Sequence, residues 1–222
     1  MDVIVRVWDA PTRIFHWLLV VCFVSLIITG NLGGNAMVWH FRLGYCVLSL
    51  LLFRLVWGIL GGYWSRFARF LYPPSTLIAY LKGRADKQHS VGHNPLGALS
   101  VFALLTFLVF QVTSGLMSDD EISAAGPLTR FVSAEWVSLA TFYHKEFGKL
   151  VLLFLTATHL IAIVYYLFRK KENLILPMIK GDKTLTFEAQ GSSDTFTDRT
   201  KASVIFIVCV ACVTTLISYL DA

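Results

Sequence analysis

Residues 144–168 read HKEFGKLVLLFLTATHLIAIVYYLF. The run is long and apolar enough to cross a bilayer core, which takes ~20 residues. It nevertheless carries two histidines, His144 at its start and His159 deep inside. An imidazole in hydrocarbon is expensive and needs a partner. The separation of 15 positions between the two corresponds to about 22 Å of helix rise and a net rotation of about 60°. A single helix can therefore serve two sites stacked across the membrane.

Four further apolar stretches stand out, at 14–30, 40–60, 95–117 and 203–220. The chain of 222 residues is 56% hydrophobic and only 15% charged, too little polar surface for a soluble domain. The expected fold is all-α and integral to the membrane: a four-helix bundle over residues 1–180, with helices at about 14–30, 40–60, 95–117 and 144–168. A polar, cytoplasmic linker at 181–202 then leads to a fifth C-terminal transmembrane helix at 203–220. The first stretch follows Arg6 and Arg13 but lacks a clean small-residue cleavage pattern, so it reads as a retained helix.

The net charge of +5 is no nucleic-acid signal, because the basic residues are confined to particular loops. Arg6 and Arg13 lie in the tail. Arg66, Arg69, Lys82, Arg84 and Lys87 lie in the 61–95 loop, and seven more Lys and Arg lie in 169–202. The 31–39 loop has none, and 118–143 has Arg130 alone against Asp119, Asp120, Glu121 and Glu135. The positive-inside rule then places the N-terminus in the cytoplasm and, after five spans, the C-terminus outside. Cys22, Cys46, Cys209 and Cys212 all fall inside apolar runs, which argues against a disulfide framework. Cys209 and Cys212 form a CxxC with no histidine after it, so it is not a covalent haem attachment site.

With this topology His16 and His159 share the cytoplasmic level, and His40 and His144 share the outer one. Four imidazoles paired in depth read as axial ligands to two haems. Bis-histidine ligation leaves no open iron position and suits electron transfer. Gly44 and Gly148 follow His40 and His144 by four residues, and Gly30 returns to nearly the face of His16 at the outer level. Such glycines let a flat macrocycle press on the helices, although small residues also serve plain helix packing. Arg54, near the inner level, needs an anionic partner, for which a haem propionate is the natural choice. Arg42 and Lys149 at the outer level and Arg13 at the inner one could do the same or snorkel to the interface. His93 and Asn94, just before Pro95, are placed to face the inner haem and hydrogen-bond a quinone carbonyl. His89 reads as a surface histidine.

The stretch VWDAPTRIFHW around His16 resembles the opening of bacterial di-haem cytochrome b proteins of the cytochrome b561 and hydrogenase-cytochrome-b group. So do HFRLGY at His40, FRLVWG at Arg54, GHNPLGAL at His93 and ENLILPMIKGDK after the fourth span. The resemblance covers about residues 3–183 and is specific in combination. It implies a four-helix core holding two b haems, with His16 and His159 matching the ligands of one and His40 and His144 those of the other. Many members of the group separate the two histidines of the fourth helix by 14 residues, one fewer than here.

The resemblance further implies electron passage between membrane quinone or menaquinone and a periplasmic redox partner such as a hydrogenase, another reductase or a c-type cytochrome. The Asp119–Glu121 stretch could help dock it. Some relatives instead act alone as superoxide:quinone oxidoreductases, for which Lys145 and Lys149 would form an anion-attracting pocket. A non-redox transporter or anchor is the remaining rival. The fifth helix is left to dock either the partner or a second copy of the chain, as a homodimer.

Overall fold

The computed structural model describes residues 2–84, 86–120 and 124–221. Glu121 of the acidic stretch lies outside them. In chain order the elements are β1 (Val3–Arg6), α1 (Ala10–Leu32), α2 (Met37–Leu60), α3 (Pro74–Leu81), α4 (Pro95–Leu116), α5 (Ala134–Phe142), α6 (Lys149–Phe168), α7 (Ile175–Lys180), β2 (Asp182–Leu185) and α8 (Phe196–Asp221). Five helical stretches are long and apolar enough to span a membrane, and the fold is all-α but for one short strand pair.

The elements start and stop where local chemistry dictates. Asp9 Oδ1 accepts from Thr12 N–H at 2.9 Å, an N-cap for α1. Asn94 Oδ1 does the same for α4 through Gly97 N–H at 2.8 Å, with Pro95 in the favoured first position. The fourth span begins well before His144. Residues 134–142, part of the 118–143 loop in the sequence reading, form α5, and a π-turn at Tyr143–Gly148 joins it to α6 in one helical stretch, Ala134–Phe168. A π-turn accommodates one residue more than the α-helical turn it replaces.

The chain divides into two compact units. One comprises Met1–His16, Arg54–Ala103 and Ala157–Ile205, the other Trp17–Phe53, Leu104–Thr156 and Phe206–Ala222. Each holds one of the two histidine pairs.

In the first unit, part of the segment that reads as a linker is built structure. Residues 182–185 pair antiparallel with β1, in the register Val3 to Leu185 and Arg6 to Asp182. Gly181 adopts φ +95°, and a Cβ there would lie 2.7 Å from the Trp8 carbonyl, so this turn requires glycine. Its own carbonyl accepts from Val7 and Trp8 N–H. Val5, Val7, Trp8, Trp64, Val91 and Leu185 bury a small core beneath the strands. Ser192 ties it shut, accepting from Trp64 N–H at 3.1 Å and donating to the Val7 carbonyl at 2.8 Å.

Asp9, fully buried, is the hub of this unit. Its Oδ2 accepts from Trp57 Nε1 (3.2 Å), Gly62 N–H (2.9 Å) and Ser65 Oγ (2.8 Å).

Asp194 joins the N-terminal segment to the start of α8. It pairs with Arg6 at 2.6 Å and Arg199 at 3.0 Å, lies 3.7 Å from Arg13, and accepts from Ala10 N–H. Burial opposes its charge, but the hydrogen bonds from Arg199, Ala10 and Arg6 prevail and hold its carboxyl below the usual range. A depressed folded-state pKa gives stability that is present above the ordinary carboxylate value and lost as the pH falls through the folded one. Limited proteolysis of residues 186–195 is therefore expected to stay slow at neutral pH and accelerate in acid. Asp194→Asn protein should be cut readily at both, and equal resistance at neutral pH would contradict the tie.

In the second unit, α8 lays Val213, Ile217 and Leu220 against Tyr45, Leu48, Leu52, Leu116 and Leu128. Phe206 meets Phe53 edge-on at 5.8 Å, and Arg130 donates to the Leu220 carbonyl. Cys22 and Cys46 are free, with sulfurs 3.8 Å apart.

Candidate functional site

The second unit contains a mostly apolar cavity of about 340 Å³ whose walls include His40, His144, Gly30, Gly44 and Lys149. Its volume falls in the range of cofactor pockets, about 300–1,000 Å³. His40 and His144 face each other with ring centres 6.0 Å apart and planes at 86°. With imidazole–metal bonds of about 2.0 Å, a metal between two facing imidazoles leaves their ring centres about 6 Å apart, so the pair fits an iron held between them.

The far side of each ring is tied back to the backbone. His40 Nδ1 lies 3.1 Å from the Leu26 carbonyl and 3.3 Å from Thr29 Oγ1, and His144 Nδ1 lies 2.8 Å from the Gln111 carbonyl. A carbonyl can only accept, so Nδ1 carries the proton on each ring. Nε2 keeps its lone pair for a metal, the usual means of fixing a ligating histidine.

The glycines divide by role. A Cβ on Gly30 would lie 3.1 Å from His40 Cε1, and one on Gly44 would meet nothing within 4 Å. Gly30 thus seats the His40 ring, and Gly44 leaves open wall. A Cβ on Gly148 would lie 2.2 Å from Gln111 Oε1 and 2.7 Å from Tyr143 Cε1. Gly148 is buried against those two side chains, not presented to the cavity. The glycine under the His144 ring is Gly115, whose Cβ would lie 2.7 Å from His144 Cε1.

The cations divide as well. Lys149 lines the cavity, whereas Arg42 is exposed and stacks on Trp39 at 5.1 Å. Trp39 gives that guanidinium a cation–π partner.

The first unit gathers His16, His159, His93 and Arg54. His16 and His159 lie within electrostatic range of each other, and His93 within range of both and of Arg54. Arg54 is buried. It donates to the Ser65 carbonyl at 3.0 Å, stacks on Phe67 at 4.5 Å and feels the charge of Asp9. Part of the anionic partner that its depth demands is thus supplied by the protein itself. Arg13 donates to the Ile179 carbonyl at 2.5 Å and reaches towards Asp194, so it anchors the strand-and-loop cap of this unit.

The His93 ring is held between Trp8 and Phe70, at 4.6 and 4.4 Å, and its backbone carbonyl accepts from Tyr72 OH. Asn94, besides capping α4, donates to Tyr166 OH at 2.9 Å, and Tyr166 shares a hydrogen bond with Tyr80.

Sequence reasoning did not single out Asp9, Gln111, Gly115, Tyr80 or Tyr166. Gln111 had a detectable signal, being a lone amide in the middle of an apolar span, where a polar group needs a partner.

Five apolar helices with opposed, backbone-anchored imidazoles are the make-up of a membrane-bound b-type cytochrome. The chain belongs to the prokaryotic cytochrome b561 family, whose profile matches residues 7–181. It is similar to the probable Ni/Fe-hydrogenase 1 B-type cytochrome subunit of Escherichia coli (strain K12), at 26% identity over 136 residues. That match covers 49% of this chain and 57% of the relative, so the chain spans little more than half the length of that protein. The probable Ni/Fe-hydrogenase B-type cytochrome subunit of Bradyrhizobium diazoefficiens is 26% identical over 215 residues, covering 81% of this chain and 85% of the relative. Its counterpart in Rhodobacter capsulatus is 23% identical over 223 residues, with 81% of each covered. No solved structure matches the chain. The chain is thus a multi-pass cytochrome of the b type.

Proposed function

We propose that this cytochrome carries electrons across the membrane through two b haems, one held by His16 and His159 and the other by His40 and His144. The observation that carries the reading is the His40–His144 pair: opposed rings 6.0 Å apart, each with Nδ1 tied to a backbone carbonyl. When bound, haem supplies a one-electron couple. The protein's part is to fix the ligand rings, line the cavity with apolar wall and place cations near it. Lys149 is placed to meet a propionate at one site and Arg54 at the other.

The N-terminus is cytoplasmic on the loop-charge argument, so the His16 level faces the cytoplasm. Quinone or menaquinone is then exchanged beside His93 and Asn94, where the Tyr166 and Tyr80 hydroxyls add hydrogen-bonding capacity. At the periplasmic level a surface pocket of about 820 Å³, lined by polar and apolar groups alike, shares Asp119 and Lys145 with the wall of the histidine cavity. It offers a docking place for a redox partner close to that haem, and the names of the relatives favour a hydrogenase. The superoxide reading gains less support, because Asp119 and Asp120 line the same cavity as Lys145 and Lys149 and offset their attraction for an anion.

The test is anaerobic addition of a short-chain naphthoquinol to the purified oxidised protein. The haem bands are expected to reduce, and Asn94→Leu protein to reduce at least ten-fold more slowly with unchanged haem content. Haem that dithionite reduces but no quinol does, and that no quinone reoxidises, would contradict the quinone assignment.

A further inference from the structure

We infer that Gln111 is the positioning residue of the His40–His144 site, gripping His144 at two points across a π-turn so that its ring stands perpendicular to that of His40. The inference rests on the haem reading above and adds to it how one ligand is held. The Gln111 backbone carbonyl accepts from His144 Nδ1 at 2.8 Å, and the Gln111 side-chain amide, the part that Gln111→Leu removes, donates to the His144 backbone carbonyl at 2.9 Å. One residue on α4 thus fixes both ends of the ligand, its ring and its peptide.

Three features make the grip specific to this place. His144 sits inside the π-turn Tyr143–Gly148, and a widened turn disturbs the regular carbonyl ladder, so a side chain can insert into it. Gly148 permits the approach, since a Cβ there would lie 2.2 Å from Gln111 Oε1. Gly115, one turn beyond Gln111 on the same face of α4, leaves room for the His144 ring, which a Cβ would meet at 2.7 Å. Gln111 Oε1 itself is buried without a hydrogen-bond partner. Only its –NH2 end is engaged, as befits a group placed to donate to one carbonyl.

The outcome is the 86° angle between the His40 and His144 planes. Perpendicular axial imidazoles leave the iron d orbitals nearly degenerate, which gives a strongly anisotropic low-spin ferric signal. Rotation towards parallel lowers the largest g value.

The test is electron paramagnetic resonance of the oxidised protein, with haem quantification, for wild type, Gln111→Leu and Gly148→Ala. In Gln111→Leu one of the two low-spin signals is expected to move to lower g or disappear, while the other stays. Gly148→Ala, which pushes Gln111 aside without removing it, is expected to affect the same signal. Two unchanged signals in Gln111→Leu would overturn the grip and leave the haem assignment standing. Equal loss of both haems in both variants would also overturn it, because Gln111 would then serve the bundle and not one ligand. A wild-type protein without two low-spin haems would instead remove the reading on which the inference rests.

Discussion

Replacing His40 by alanine is expected to remove one of two haems per chain and leave the other spectroscopically intact. The His40 ring forms one wall of the cavity, faces His144 at 6.0 Å and is pinned by the Leu26 carbonyl. No other histidine, and no cluster of three or more metal-ligating side chains, stands ready to replace it among the described residues. A five-coordinate haem left on His144 alone would lose the bis-histidine character that holds it. His16→Ala should remove the other haem, because His16 and His159 belong to the other compact unit. The check is a pyridine haemochrome assay against protein concentration, expected to fall about two-fold in each single variant and to near zero in the double. Full occupancy in either single variant would contradict the ligand assignment.

Asp9→Ala is expected to be the most destabilising single substitution outside the ligands. The carboxylate is fully buried and holds four donors: Thr12 N–H, Trp57 Nε1, Gly62 N–H and Ser65 Oγ. It also stands in electrostatic range of the buried Arg54. Truncation leaves those donors without their acceptor and an arginine without its nearest negative charge, for a loss of about 3–5 kcal/mol. A urea titration in detergent, followed by tryptophan fluorescence, should show the midpoint displaced strongly. Asp9→Asn, which keeps the shape and one acceptor oxygen, should recover part of the loss. Wild-type stability in Asp9→Ala would show that the hub is dispensable.

These residues also show what a linear sequence conveys. The membrane class and the grouping of the histidines into two pairs were legible because bilayer thickness imposes a length on every apolar run, and an imidazole inside such a run stands out. The strand pair was not. Val3–Arg6 and Asp182–Leu185 flank the family's matched residues 7–181 on either side, and neither carries a local signal for the other. A polar Ser- and Thr-rich segment such as 186–195 reads as linker until Ser192 and Asp194 are seen to tie it to Val7, Trp64 and Arg6.

The site was legible in part for the same reason. Depth and spacing marked out the four imidazoles and Lys149, of which His40, His144 and Lys149 line one cavity. The seat of each ring was not, because it depends on which helix faces which. Gly148 follows His144 at helical spacing yet packs on Gln111, while Gly115 on another helix meets the ring.

The most direct measurement is the oxidised and dithionite-reduced visible spectrum of the detergent-purified protein, with haemochrome quantification against amino-acid analysis. The account predicts two b haems per chain, low-spin in both oxidation states. One haem per chain, or a high-spin spectrum, would contradict the pairing of the four histidines.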